Sequence, residues 1–143
     1  MKVPDTNPDV RWLQRFEHFD RAVANLRDAI DMDVTTMSSL EKEGTIQRFE
    51  VAVELAWKTV KDFLEGSGLT VEQTPKSVMK AAFATGIVVE GQVWIDILVL
   101  RNSLAHTYDE AILQQAVESI SSRYMSAIAD LHAWLTSRKT SHA

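Results

Sequence analysis

The sequence predicts an all-α domain, an up-and-down bundle of four to five helices, and three observations carry that expectation. Apolar residues recur at three- and four-residue steps through most of the chain. Residues that cap or stop helices stand where those stripes break. No segment of useful length alternates apolar and polar residues as a strand does. At 143 residues the chain has the size of one domain that buries a hydrophobic core without disulfides or a structural metal.

Residues 1–9, with Pro4, Asp5, Asn7 and Pro8, read as a loose lead-in, and residues 138–143 as a frayed tail, leaving 10–137 as the single domain. Trp12, Phe16, Phe19, Val23, Leu26 and Ile30 form the stripe of a first helix. A second stripe, Ile46, Phe49, Val53, Ala56, Trp57, Val60 and Leu64, predicts a helix from Val34 or Ser38 to Glu65, stopped by Gly66 and Gly68. Thr74 and Pro75 read as an N-cap with proline at the first helical position, opening a short helix that ends near Gly86. The fourth helix begins at Glu90 or Gly91, runs through Val93, Trp94, Ile97, Leu98 and Leu100, and stops being apolar at Arg101. Asp109 can cap the last helix, whose stripe is Ile112, Ala116, Ile120, Ala127, Leu131 and Trp134. Val51 and Leu55 lie off the main stripe of the second helix, so that helix is either central in the bundle or shared with a second subunit.

Composition removes whole classes of function. The absence of cysteine excludes a disulfide framework, a thiol nucleophile and Cys-ligated metal sites. No apolar run reaches the roughly 20 residues of a membrane helix, and the charged first thirty residues do not resemble a signal peptide, which makes the cytoplasm the expected compartment. Fifteen Lys plus Arg against twenty Asp plus Glu give a net charge of −5, which opposes any function resting on a broad cationic surface. Nucleic acid would have to be met through a local pocket or a dimer groove.

Glycine-rich phosphate loops, nucleophile elbows, paired histidines at i, i+4 and acidic calcium loops are all missing. His18 has Glu17 and Asp20 nearby, but that spacing does not converge on one helix face as metal ligands must, so no metal site or cofactor is expected. His18, His132 and His142 read as surface residues. Glu50, Glu54, Lys58 and Lys61 read as a solvated stripe of ion pairs. Trp57, Trp94 and Trp134 lie on helix stripes and read as core or interface packing.

The segment Arg101, Asn102, Ser103, Leu104, Ala105, His106, Thr107, Tyr108 differs from the rest, because a fixed cation, an amide, an imidazole and a phenol fall within eight residues at a helix end. Arginine grips phosphate oxygens with a planar fork and stays charged as negative charge grows in a phosphorane. The imidazole of His106 is the one local group with an ordinary pKa near neutrality, suited to removing a 2′-hydroxyl proton or protonating a leaving oxygen. Five residues apart on a continuous helix the two side chains diverge by roughly 140°, so they meet only if the helix ends between them or a symmetric dimer faces two such segments. The plainer alternative is that both cations satisfy carbonyls at the helix C-terminus.

Arg101, Asn102, His106 and Tyr108 match, without a gap, the pattern of HepT-like proteins of the HEPN superfamily: Arg, a polar residue, three more residues, His, any residue, Tyr. Gly44 to Glu50, Glu54-Leu55-Ala56-Trp57-Lys58, Thr74-Pro75 and Trp94-Ile95-Asp96 resemble the branch labelled nucleotidyltransferase substrate-binding proteins, and the likeness runs from Trp12 to Leu135. The resemblance implies a helical homodimer encoded beside an MNT-type nucleotidyltransferase, the two acting as toxin and antitoxin. It implies a metal-independent endoribonuclease with Arg101 and His106 catalytic, Asn102 supporting, and Tyr108 accepting AMP from the partner. An AMP there adds a negative phosphodiester and bulk where the RNA phosphate would lie. The older family label implies a rival, a non-catalytic subunit that presents substrate to the nucleotidyltransferase; a generic helical adaptor stands third.

Overall fold

The structure, a computed structural model, describes the backbone of residues 8–105 and 109–142, so His106 and Tyr108 lie outside the described residues. Six α-helical segments follow one another: α1 (Pro8–Ile30), α2 (Ser39–Gly66), α3 (Pro75–Ala84), α4 (Gly91–Leu104), α5 (Glu110–Ser119) and α6 (Met125–His142). A π turn, Ile120–Tyr124, joins α5 to α6, so the last two act as one long helix and the bundle has five. Among the described residues there is no strand.

Local chemistry sets the helix boundaries. The Ser38 side chain accepts from the Glu41 N–H while Glu41 returns a bond to the Ser38 N–H, a reciprocal cap at the start of α2. At its other end Gly68 takes φ +87°, and the Leu69 N–H closes on the Leu64 carbonyl at 3.0 Å. Thr74 caps α3 through the Ser77 N–H, with Pro75 at the first turn, and Gly86 at φ +82° turns the chain out of it. Asp109 accepts from the Ala111 and Ile112 N–H groups and starts α5.

Cross-helix contacts fix the topology. Arg15 reaches Asp62 and Arg48 reaches the Asn25 carbonyl, so α1 and α2 run antiparallel. Lys42 pairs with Glu110, Phe49 stacks on Tyr124 and Phe63 meets Trp134 edge-on, so the α5–α6 helix runs parallel to α2. Arg123 bonds Asp96 at 2.9 Å, and Trp94 shares a cleft with Ala127 and Leu131, which sets α4 antiparallel to α5–α6. The long helices are therefore up-and-down, with α3 laid against α2 and α4. The apolar stripes converge on one core that includes Phe19, Leu26, Phe49, Val53, Val60, Trp94, Ile97, Ile128 and Leu131. Among the described residues no helix is long and apolar enough to cross a membrane.

Four expectations change. Helix α1 begins at Pro8, inside the expected lead-in, because a proline costs nothing in a first turn, and α6 continues to His142 through the expected tail. Helix α2 is central, touching every other long helix, and Val51, 47% exposed, stays outside that packing. In the last stripe Ala116, Ile120, Ala127 and Leu131 are buried, but Ile112, in the first turn of α5, is 43% exposed and Leu113 takes the core position there. His132 is not a surface residue. Its ring stacks on Phe16 at 5.4 Å and its Nε2 lies 2.7 Å from Asp20 Oδ1, joining α6 to α1. His18 is exposed, with Arg21 at 3.3 Å, and the His142 side chain lies outside the described residues.

Candidate functional site

Helix α4 carries the arginine of the motif to its last turn and stops three residues later. Trp94, Ile97, Leu98 and Leu104 bury one side of α4, which fixes the rotation that leaves Arg101 at the edge of the core and Asn102 and Ser103 exposed. Ser103 Oγ donates to the Leu100 carbonyl at 2.9 Å, and the Ala105 N–H reaches the Asn102 carbonyl at 3.4 Å, closing the last turn. Helix α4 ends at Leu104, before His106 in the sequence. His106 and Tyr108 follow in sequence, outside the described residues.

Among the described residues Arg101 makes no hydrogen bond to a carbonyl of α4. Its Nη2 donates to Glu54 Oε2 on α2 at 2.6 Å, a charge-assisted bond between two side chains that keep 32% and 31% of their surface. Its Nε is buried with no hydrogen-bond partner among the described residues. Glu54 has two further partners: Trp57 Nε1 donates to Oε2 at 3.1 Å, and Lys58 Nζ lies 3.0 Å from Oε1. Partial burial works to raise the Glu54 pKa, but the hydrogen bonds from Lys58 and Trp57 and the charges of Arg101 and Lys58 outweigh it and hold the carboxyl below its ordinary value. Glu54 therefore does not belong to a plain solvated stripe; it ties α2 to the motif arginine. Reading i, i+4 charge pairs along one helix could not reveal this, because the decisive partner sits 47 residues away. A usable signal was present in Leu55, an apolar residue off the main stripe, beside Glu54 and packed against the core.

A cleft of about 300 Å³ opens beside the arginine between α3 and α4, lined by Pro75, Lys76, Ile95, Val99, Arg101 and Asn102 among others. It joins two cationic side chains and an amide to an apolar wall, a chemistry that suits an anion carrying a flat apolar group. Of the three tryptophans read as packing residues, Trp94 is in the core, while Trp57 and Trp134 are half-buried at its margin. Among the described residues no group of three or more His, Asp or Glu side chains is arranged to hold a metal ion.

This helical bundle has the fold of a known class. The chain belongs to the nucleotidyltransferase substrate binding protein like family, whose model matches residues 14–137. A relative from Haemophilus influenzae, described as a probable ribonuclease HepT, is 25% identical over 101 residues, 66% of this chain and 69% of that protein. A crystal structure of a protein from Thermus thermophilus shares the fold with a TM-score of 0.69 and 25% identity, covering 84% of this chain and 97% of that one. These matches agree with the HepT-like, HEPN-type assignment that the motif residues carry.

Proposed function

We propose that the chain is a HepT-like endoribonuclease, the toxin of a toxin–antitoxin pair, that cleaves RNA without a metal and is silenced when a partner nucleotidyltransferase transfers AMP to Tyr108. Arg101 and His106 are its catalytic residues, Asn102 supports them, and the site works in a homodimer. In the reaction the 2′-hydroxyl loses its proton as O2′ bonds to phosphorus. The P–O5′ bond breaks, and O5′ takes up a proton, leaving a 2′,3′-cyclic phosphate and a 5′-hydroxyl. His106 is the proton-transfer group, and Arg101 stabilises the extra negative charge on phosphorus.

The observation that carries this reading is the placement of Arg101. A motif arginine serving only as a helix C-cap would bond carbonyls of α4, whereas among the described residues this guanidinium bonds Glu54 and is one-third exposed beside a cleft. The second reading, a non-catalytic subunit presenting substrate to a nucleotidyltransferase, draws on the family's description and on the net charge of −5.

The deciding experiment incubates the purified, unmodified chain with mixed RNA in EDTA, beside His106→Ala, Arg101→Ala and Tyr108→Phe. The nuclease reading expects cyclic-phosphate ends from the parent and from Tyr108→Phe, none from the other two, and escape of Tyr108→Phe from the partner's AMP transfer. A dimeric parent that binds the nucleotidyltransferase but leaves RNA intact gives the site to the second reading.

A further inference from the structure

The nuclease reading gives Arg101 a task and leaves its neighbour on α2 without one. Glu54 Oε2 meets Arg101 Nη2 at 2.6 Å and Trp57 Nε1 at 3.1 Å, while Lys58 holds Oε1 at 3.0 Å. The Trp57 indole packs against the core, so its N–H is a fixed donor and the carboxylate is anchored before any ligand arrives. An arginine side chain without such an anchor must give up its rotamer freedom when it grips a phosphate.

We propose that Glu54 is a positioning residue for RNA cleavage: it clamps the Nη2 edge of Arg101 and leaves Nη1 as the donor to the scissile phosphate. The assignment rests on the nuclease reading above. It has a consequence that a simple strut between α2 and α4 does not share. A carboxylate this close to the bound phosphate repels it in the ground state, while the fixed guanidinium serves the more highly charged transition state. Glu54 therefore weakens RNA binding and speeds turnover, and removing its charge moves the two constants in opposite directions.

Steady-state cleavage of a short RNA in EDTA, by the full chain and by Glu54→Gln and Glu54→Ala, reads the split directly. Glutamine keeps the shape and one neutral acceptor for Nη2, and alanine removes both. The expected result is a kcat reduced roughly tenfold by glutamine and nearer a hundredfold by alanine, each with the fold intact by circular dichroism melting. KM falls in both, by about two- to threefold. A merely structural role predicts loss that tracks the unfolded fraction, no fall in KM and no advantage of glutamine over alanine, and any of these overturns the assignment alone. A parent chain that cuts no RNA overturns the nuclease reading and this assignment with it.

Discussion

Glu54, Asp62 and Glu65 of helix α2 each pair with an arginine from a neighbouring helix, and the first two differ in how far the carboxylate is buried. Asp62 is fully buried, 3.0 Å from Arg15 of α1 and 3.7 Å from Lys61, and one of its oxygens has no hydrogen bond among the described residues. Glu54, two turns back, keeps 31% of its surface and holds Arg101 of α4. Arg15 is 31% exposed, about as open as Arg101 at 32%, so what sets the pairs apart is the carboxylate: the buried Asp62 ties α1 to α2. Arg101 in addition lines the cleft between α3 and α4, where a phosphate can meet its guanidinium. The same chemistry on one helix thus serves architecture at one point and a candidate site at the other, and the burial of Asp62 and the cleft beside Arg101 make the difference.

If that contrast is right, the two arginines separate cleanly. Arg101→Ala is expected to lower RNA cleavage by about 10²–10³-fold, since it removes the charge that stabilises the phosphorane. The same change shifts the unfolding free energy by less than about 1 kcal/mol, because both side chains of the pair are partly solvated. Arg15→Ala does the reverse. It leaves the buried Asp62 carboxylate with only a distant lysine and costs about 3 kcal/mol in urea unfolding, with cleavage well below the melting temperature unchanged. Cleavage that collapses in folded Arg15→Ala, or a stability loss of similar size in Arg101→Ala, breaks the distinction.

The same contrast shows what was legible in the residues themselves. Periodicity located the core because burial of one helix face is a local, repeating demand, and Trp12, Phe16, Phe49, Val53, Ile97 and Leu131 are all buried where their stripes put them. Thr74 and Asp109 were legible as caps because a cap bonds N–H groups two or three residues away. Arg101 and Asn102 stood out only as members of a motif. Glu54 and Asp62 were missed because their arginine partners are 47 residues distant, and nothing in a helix stripe encodes which neighbour packs against it. The π turn escaped for a related reason: a single inserted residue at Ile120–Tyr124 leaves the stripe on either side of it reading as helical.

Helix caps sharpen the contrast at smaller amplitude. Ser38 and Asp109 perform the same local task, and Ser38→Ala and Asp109→Ala each cost about 1 kcal/mol in urea unfolding. Only Asp109 directly follows Tyr108 in sequence, so only its loss frees the start of α5 beside the motif. Cleavage rates at a temperature where both variants are fully folded are expected to fall in Asp109→Ala and hold in Ser38→Ala. Equal rates would show that the motif does not depend on how α5 begins.

The smallest expected effect concerns the acid limb of stability. The Glu54 carboxyl is held below its ordinary value of 4.5 despite partial burial, by its hydrogen bonds to Lys58 and Trp57 and by the nearby positive charges. A group whose folded pKa is depressed contributes stability that is present above its unfolded pKa and is lost as pH falls through the folded value. Glu54→Gln should therefore be less stable than the parent near neutrality by well under about 1 kcal/mol, discounted because the side chain is partly solvated. The gap should close as pH drops below about 4.5, where the parent's carboxyl takes up its proton. Urea midpoints of both proteins, measured from neutral pH into the acid range, check the sign. A gap that stays constant down the acid limb means that the Glu54–Arg101 bond does not depend on the carboxylate's charge. The clamp on Arg101 would then be a matter of shape, and Glu54→Gln would keep both the fold and the rate of the parent.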